Sequence, residues 1–209
     1  MRVLRSLVIC LGLIGMLALF GLVLGYYLYS LTPEIQTKVT PVLPDEKSAL
    51  AFEEKIATFK GEIEGAVESN QKKEVNLQIN EKEINAKLSK ELAKAKANPN
   101  GKPLIEKMIV NLRNSNGGEF LVYVELEAPG VNAKTGIIGH VKMVDDKPRI
   151  VVTDFNLGKL PLPKSLNQRV EQLLNIVVNI RLADLPLTVT NVEIKNRQIT
   201  ITGLTRPAR

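Results

Sequence analysis

Glu119-Phe120-Leu121-Val122-Tyr123-Val124-Glu125-Leu126-Glu127, residues 119–127, decides how the chain is read. Phe120, Val122, Val124 and Leu126 fall on one side of a two-residue period, and Glu119, Tyr123, Glu125 and Glu127 on the other. Successive side chains of a strand point to opposite faces, so this stretch reads as a strand with an apolar and a polar side. Upstream, Met108, Val110 and Leu112 give the same pattern before a turn at residues 114–118. Downstream, Pro129-Gly130 turns the chain into strands over Thr135 to Val144 and Pro148 to Phe155, joined at Asp145-Asp146-Lys147. Strands of this length with short polar turns predict an antiparallel meander, one face buried and one wet.

Such an apolar face needs a cover. The next segment offers one: an extended Leu157-Gly158-Lys159-Leu160-Pro161-Leu162-Pro163 crossover, then Ser165 and Gln168 at capping spacing. Leu166, Val170, Leu174, Val177 and Val178 follow as a helical stripe. Two closing strands, Leu187 to Ile194 and Gln198 to Gly203, flank a hairpin turn at Asn196-Arg197.

Working back from the meander, Val75, Leu77 and Ile79 form a short strand, and Asn80 with Glu83 makes a capping box. Ile84, Leu88 and Leu92 then predict a helix ending near Asn98-Pro99-Asn100-Gly101. Its opposite face carries Lys87, Lys90, Lys94 and Lys96, read as a solvated row, with anionic headgroups as the alternative. Earlier still, Ala49, Phe52, Ile56, Phe59 and Ile63 repeat at spacings of 3, 4, 3 and 4 behind Asp45 as N-cap. That stripe reads as a helix packed on its own domain; a juxtamembrane dimerisation stalk is the other reading.

The N-terminal end is of a different kind. From Ser6 to Pro33 there are 28 residues without an Asp, Glu, Lys, Arg or His. Leu7 to Leu28 spans about 33 Å as a helix, enough for a hydrocarbon core of about 30 Å. Tyr26, Tyr27 and Tyr29 sit at the far end, at headgroup level, and Arg2 and Arg5 at the near end, which orients the N-terminus inward. The apolar run is longer than a signal peptide's and Leu24-Gly25-Tyr26-Tyr27 makes a poor cleavage site, so an uncleaved anchor is expected. Cys10 reads as a structural residue of that anchor, and Gly21 and Gly25 as ordinary membrane-helix glycines rather than a dimer contact. The expected division is a cytoplasmic tail (1–5), a transmembrane helix (6–31), a Pro-containing extended linker (32–44) and an extracytoplasmic α+β domain (45–209).

The stretch Val75-Asn76-Leu77-Gln78-Ile79-Asn80-Glu81-Lys82-Glu83-Ile84-Asn85-Ala86-Lys87-Leu88 resembles the strand and following helix of YpmS-like membrane-anchored bacterial proteins. The Leu157–Pro163 crossover resembles that family's own, and residues 192–203 are similar to a terminal hairpin shared with LmeA-like proteins. The resemblance covers roughly residues 70–204. It implies an extracytoplasmic domain on a single-pass anchor, related to tubular lipid-binding folds, and supplies no catalytic residues. The uncleaved anchor departs from the LmeA-like pattern and argues against a free carrier.

The residues give little support to catalysis. The one Cys lies in the apolar helix, and the one His, His140, sits mid-strand with no nucleophile at a motif spacing. Asp154 is an isolated acid in an apolar strand, without a second acid at the spacing a Ca²⁺ site uses. No cofactor or metal is expected. After Arg2 and Arg5, a net charge of +4 over the 176 residues beyond Pro33 is too small and too interspersed for nucleic acid. Two roles remain. In the first, sheet and helix enclose an apolar groove for a lipid or other apolar envelope ligand, lined by Val110, Leu112, Phe120, Val122, Val124, Phe155, Leu166, Val170, Leu174 and Val177. In the second, the protein docks onto a cell-envelope complex or a second copy of itself through the 49–63 stripe.

Overall fold

A computed structural model gives the architecture and describes residues 2–96, 105–128, 131–145, 147–183 and 185–206; side chains of 2–15, 116, 128, 131, 177 and 179–183 lie outside the description, as do the turns expected at Asn98–Gly101 and Pro129-Gly130. The fold is α+β with an apolar N-terminal helix and antiparallel sheets. Helix α1 (Arg2–Ser30) leads through a single turn, α2 (Ile35–Lys38), to α3 (Glu46–Glu68), strand β1 (Glu74–Asn80) and α4 (Glu81–Lys96). Strands β2 (Ile105–Arg113), β3 (Glu119–Ala128), β4 (Val131–Val144) and β5 (Lys147–Leu157) form the expected meander. Then come α5 (Ser165–Ala183), β6 (Leu187–Lys195) and β7 (Gln198–Thr205). The strands make two sheets, ordered β1-β7-β6 and β2-β3-β4-β5. Helix α4 therefore joins one edge of the small sheet to one edge of the large sheet, and α5 joins the other two edges.

Several ends form as local chemistry dictates. Asp45 caps α3 by accepting from the Ser48 N–H at 2.6 Å. Asn80 and Glu83 close the capping box reciprocally, at 2.8 and 3.0 Å. Asn196 and Arg197 both adopt positive φ, 53° and 59°, as the two central residues of a tight β6–β7 hairpin require. The α3 stripe buries Ala49, Phe59 and Ile63; Phe59 and Ile63 pack with Val75, Leu77, Ile79, Leu187 and Val189 in the core of the small sheet. That apolar face is occupied by the chain's own sheet.

Helix α1 carries no ionisable Asp, Glu, Lys, Arg or His after Arg5 and exposes Met16, Leu17, Leu19, Phe20, Leu22 and Val23, each at least 65% accessible. The stretch Met16–Lys38, α1 with the turn that follows it, is long and apolar enough to cross a membrane. Tyr26 and Tyr27 are exposed, while Leu28 and Tyr29 are half-buried.

Residues 32–44 are not a free extended spacer. Pro33, Ile35 and Val39 are buried, and the segment crosses one face of the four-stranded sheet as a strap. Ile35 fits over Gly136, where a Cβ would come within 2.7 Å of it. The Tyr123 hydroxyl donates to Gln36 Oε1 at 3.0 Å, and the Asn111 side chain exchanges bonds with the Thr40 main chain at 2.7 and 3.1 Å. Arg113 donates to the Lys38 carbonyl. Burial, assisted by the Glu125 carboxylate, pushes the Tyr123 phenol above its usual range. Enclosing Ile35 completely contributes about 2–3 kcal/mol.

The strap reverses the expected sidedness of the meander. Ile109, Leu121, Tyr123 and Ile138 of the large sheet form one buried cluster with Ile35 and Val39 of the strap, although Tyr123 falls on the side read as wet. Most of the face read as buried is only half-buried. Residues 33–40 supply the cover, whereas the sequence pattern assigned that task to the later helix.

That helix, α5, lies along the free edge of β5. Glu171 accepts from the Val152 N–H at 3.1 Å, and Asn175 bonds both the N–H and the C=O of Ile150 at 2.8 Å. Helix α4 does the same at the opposite edge. Glu81 accepts from the Leu112 N–H at 2.7 Å, and Asn85 bonds the N–H and C=O of Val110 at 2.9 and 2.6 Å. In both helices the Asn also donates to the carbonyl of its own Glu, at 2.8 and 2.9 Å. A Glu-x-x-x-Asn pair on each side thus replaces a missing neighbouring strand. The most buried residues of α4 are accordingly Glu81, Glu83, Asn85 and Ala86, while the expected stripe of Ile84, Leu88 and Leu92 is half-buried. Its lysine row is matched to acids: Lys87 and Lys90 reach Glu53, Lys94 reaches Glu91 and Lys96 reaches Glu106.

Candidate binding face

Directly paired residues in a sheet share a face, so the register sorts the large sheet into rows. On the face away from the strap, one row is Leu112, Phe120, Gly139 and Val152, and the next Val110, Val122, Ile137 and Phe155. The third is Met108, Val124, Thr135 and Leu157. From Met108 to Leu112 these rows cover about 13 Å of strand. They contain no ionisable side chain and one hydroxyl.

Burial falls from one end of this face to the other. In the first row Leu112, Gly139 and Val152 are buried; in the second and third every residue is half-buried. The small sheet meets the large one at the first-row end, where Ile194 of β6 lies against Gly118 before β3. At the other end stands the last turn of α1. The Lys159 N–H donates to the Leu28 carbonyl at 2.8 Å, and Lys134 Nζ to Thr32 Oγ1 at 3.2 Å. Gly158, at φ 56°, comes so close that a Cβ would collide with the carbonyl oxygens of Leu28 and Tyr29. The apolar face is thus mostly buried in the row away from α1 and half-buried in the two rows toward it.

Of the residues expected to line a groove, Val110, Leu112, Phe120, Val122, Val124 and Phe155 are brought together on this one face. Leu166, Val170 and Leu174 are half-buried on α5 at its β5 margin; the side chain of Val177 lies outside the description. Helix α5 also exposes Leu173 and Ile176, at 64% and 55%. It borders the face instead of roofing it, because its polar stripe is engaged with the β5 edge. Met108, Ile137, Val152 and Leu157 belong to the same rows and are not among the residues expected to line the groove, although alternation places Met108 with Val110 and Leu112. The one-residue register shift between Ile138 and Gly139 hides the β5 members from simple alternation.

This surface presents apolar side chains with Thr135 as its one hydroxyl. His140 is half-buried in β4 with Thr153 Oγ1 at 3.5 Å, and Asp154 accepts from Asn156 Nδ2 at 3.1 Å. Among the described residues no group of three or more His, Cys, Asp and Glu is placed to hold a metal ion. Comparison of the chain with protein-family models, curated proteins and solved structures finds no match.

Proposed function

We propose that the chain is a single-pass membrane protein whose extracytoplasmic domain binds a lipid acyl chain, or an envelope ligand of the same chemistry, on the open face of its large sheet, without catalysing a reaction. One observation carries this reading: the apolar row farthest from α1 is mostly buried, whereas the two rows nearer α1 are half-buried throughout. A chain leaving the bilayer would meet the half-buried rows first. Each methylene it buries contributes about 0.8 kcal/mol. Arg2 and Arg5 before the apolar run, and the tyrosines after it, support an inward N-terminus. The YpmS-like resemblance and its tubular lipid-binding relatives agree with this role.

The test is native mass spectrometry of the full chain extracted in mild detergent, with Val122→Asn and Ile137→Asn as paired variants. Co-purifying lipid that falls at least tenfold in the variants is the expected result. Lipid-free protein, or equal lipid in all three, overturns the reading. A C-terminal alkaline phosphatase fusion is expected to be active; activity only from a cytoplasmic reporter reverses the topology.

A further inference from the structure

Helices α4 and α5 seal both edges of the large sheet, whereas β1, an edge of the small sheet, has no such seal. The Thr205 N–H bonds the Lys73 carbonyl and the Glu81 N–H bonds the Arg197 carbonyl, at 2.9 Å each. Odd-numbered residues from 73 to 81 therefore face β7, and the main-chain groups of Glu74, Asn76 and Gln78 face outward. Among the described residues nothing bonds the N–H or C=O of these three. Helix α3 runs beside this edge and leaves a hollow of about 620 Å³, lined by Ala51, Glu54, Thr58 and Glu62 on one side and Asn76 and Gln78 on the other.

Natural edge strands are blunted by bulges, prolines or covers. The β1–β7 register runs from Glu74 to Asn80 without a shift, while the β2–β3, β4–β5 and β6–β7 pairings each contain one. Strand β1 has no Pro or Gly. Glu54, Glu62 and Glu74 are exposed, and none makes an ion pair among the described residues; Lys55 on the same wall is bonded to Glu83.

We infer that the β1 edge is a docking site for an extended polypeptide segment carrying basic side chains, which adds as a strand between β1 and α3. Main-chain groups of the segment complete the bonds of Asn76 and Gln78, and its basic residues meet Glu54 and Glu62. Strand addition of this kind draws affinity from the backbone and specificity from alternate side chains. This surface is separate from the apolar face and does not depend on lipid binding.

The experiment uses the full chain in nanodiscs and the acetylated, amidated peptide Lys-Val-Lys-Val-Lys-Val-Lys, with fluorescence anisotropy and amide hydrogen exchange as readouts. Saturating peptide is expected to slow exchange of the Asn76 and Gln78 amides at least tenfold. Alternate N-methylation of the peptide, which removes one row of its donors, is expected to weaken binding at least tenfold, as is replacing its lysines by glutamates. Asn76→Pro removes an outward N–H without touching the β7 ladder and is expected to abolish binding with β1–β7 protection intact. Unchanged exchange at Asn76 and Gln78, or equal binding of the N-methylated peptide, overturns the inference. Protection of those amides that depends on protein concentration without peptide also overturns it, because the occupant is then a second copy of the chain.

Discussion

Helices α4 and α5 perform one task with the same residues and are held in different ways. Each places Glu and Asn four apart against a sheet edge, and each pair meets the same three main-chain groups. Behind α4 stands a charged frame: Glu81 also pairs with Arg197, Glu83 holds Lys55, and Lys87 and Lys90 reach Glu53 on α3. On α5 the described residues Gln168, Arg169, Gln172, Leu173 and Ile176 are exposed to solvent. The helix makes no ion pair among the described residues and leaves the apolar Leu173 and Ile176 uncovered. The difference teaches that sealing an edge and fixing a helix are separate problems. Side-chain bonds to a strand solve the first, and contacts on the helix's other faces solve the second.

The sharpest way to break this comparison is to remove the two carboxylates in turn. Glu81→Ala leaves the Leu112 N–H without its partner in a site where the carboxylate is 3% exposed, and is expected to cost about 3 kcal/mol. Glu171→Ala, at a half-buried position open to water, is expected to cost about 1 kcal/mol. Urea unfolding of both variants measures the gap; equal losses would show that the frame behind α4 adds nothing. Hydrogen exchange refines the point without mutation. The Ile150 and Val152 amides are expected to exchange at least tenfold faster than those of Val110 and Leu112, because α5 opens more readily than α4.

Acid gives the smallest effect and touches one side only. Hydrogen bonds from Lys87 and then Lys90 lower Glu53 from the ordinary 4.5 to about 2, and bonds from Lys82 and then Ser48 lower Asp45 from 3.8 to about 2. A depressed native pKa adds stability above the unfolded value and loses it as pH falls through the native one. The α3–α4 contact is therefore expected to hold at pH 5 and to loosen progressively from about pH 4.5 to pH 2. Amide hydrogen exchange of α4 measured between pH 5 and pH 2 and corrected for the intrinsic rate would follow it; a transition centred above pH 5 would assign the loss to other groups.

What could be read from the chain was chemistry carried by neighbours in sequence. The Asp45 cap, the Asn80–Glu83 box and the Asn196-Arg197 turn each close within four residues, and all three form. Strand alternation likewise grouped Val110, Leu112, Phe120, Val122 and Val124 on one face, as the strand register does, while Phe155 joins them across the β5 register shift. It did not say which face acquires a cover, since Tyr123 is buried by Ile35 and Gln36 from almost ninety residues earlier. Nor did it mark Glu81 and Asn85 as buried. Polar residues on a helix look solvated until an unpaired strand edge is placed beside them.

The junction at Gly158 has a mechanical consequence. A flexible tether would let a domain bob and turn on its stalk, but here the last turn of α1 is bonded into the end of β5 and the strap is buried beneath the sheet. These contacts set the angle between rod and blade in the structure, like a rudder fixed to its post. With α1 in a bilayer, as proposed, a lean that bilayer thickness imposed on the rod would become a change in the blade's angle to the membrane surface.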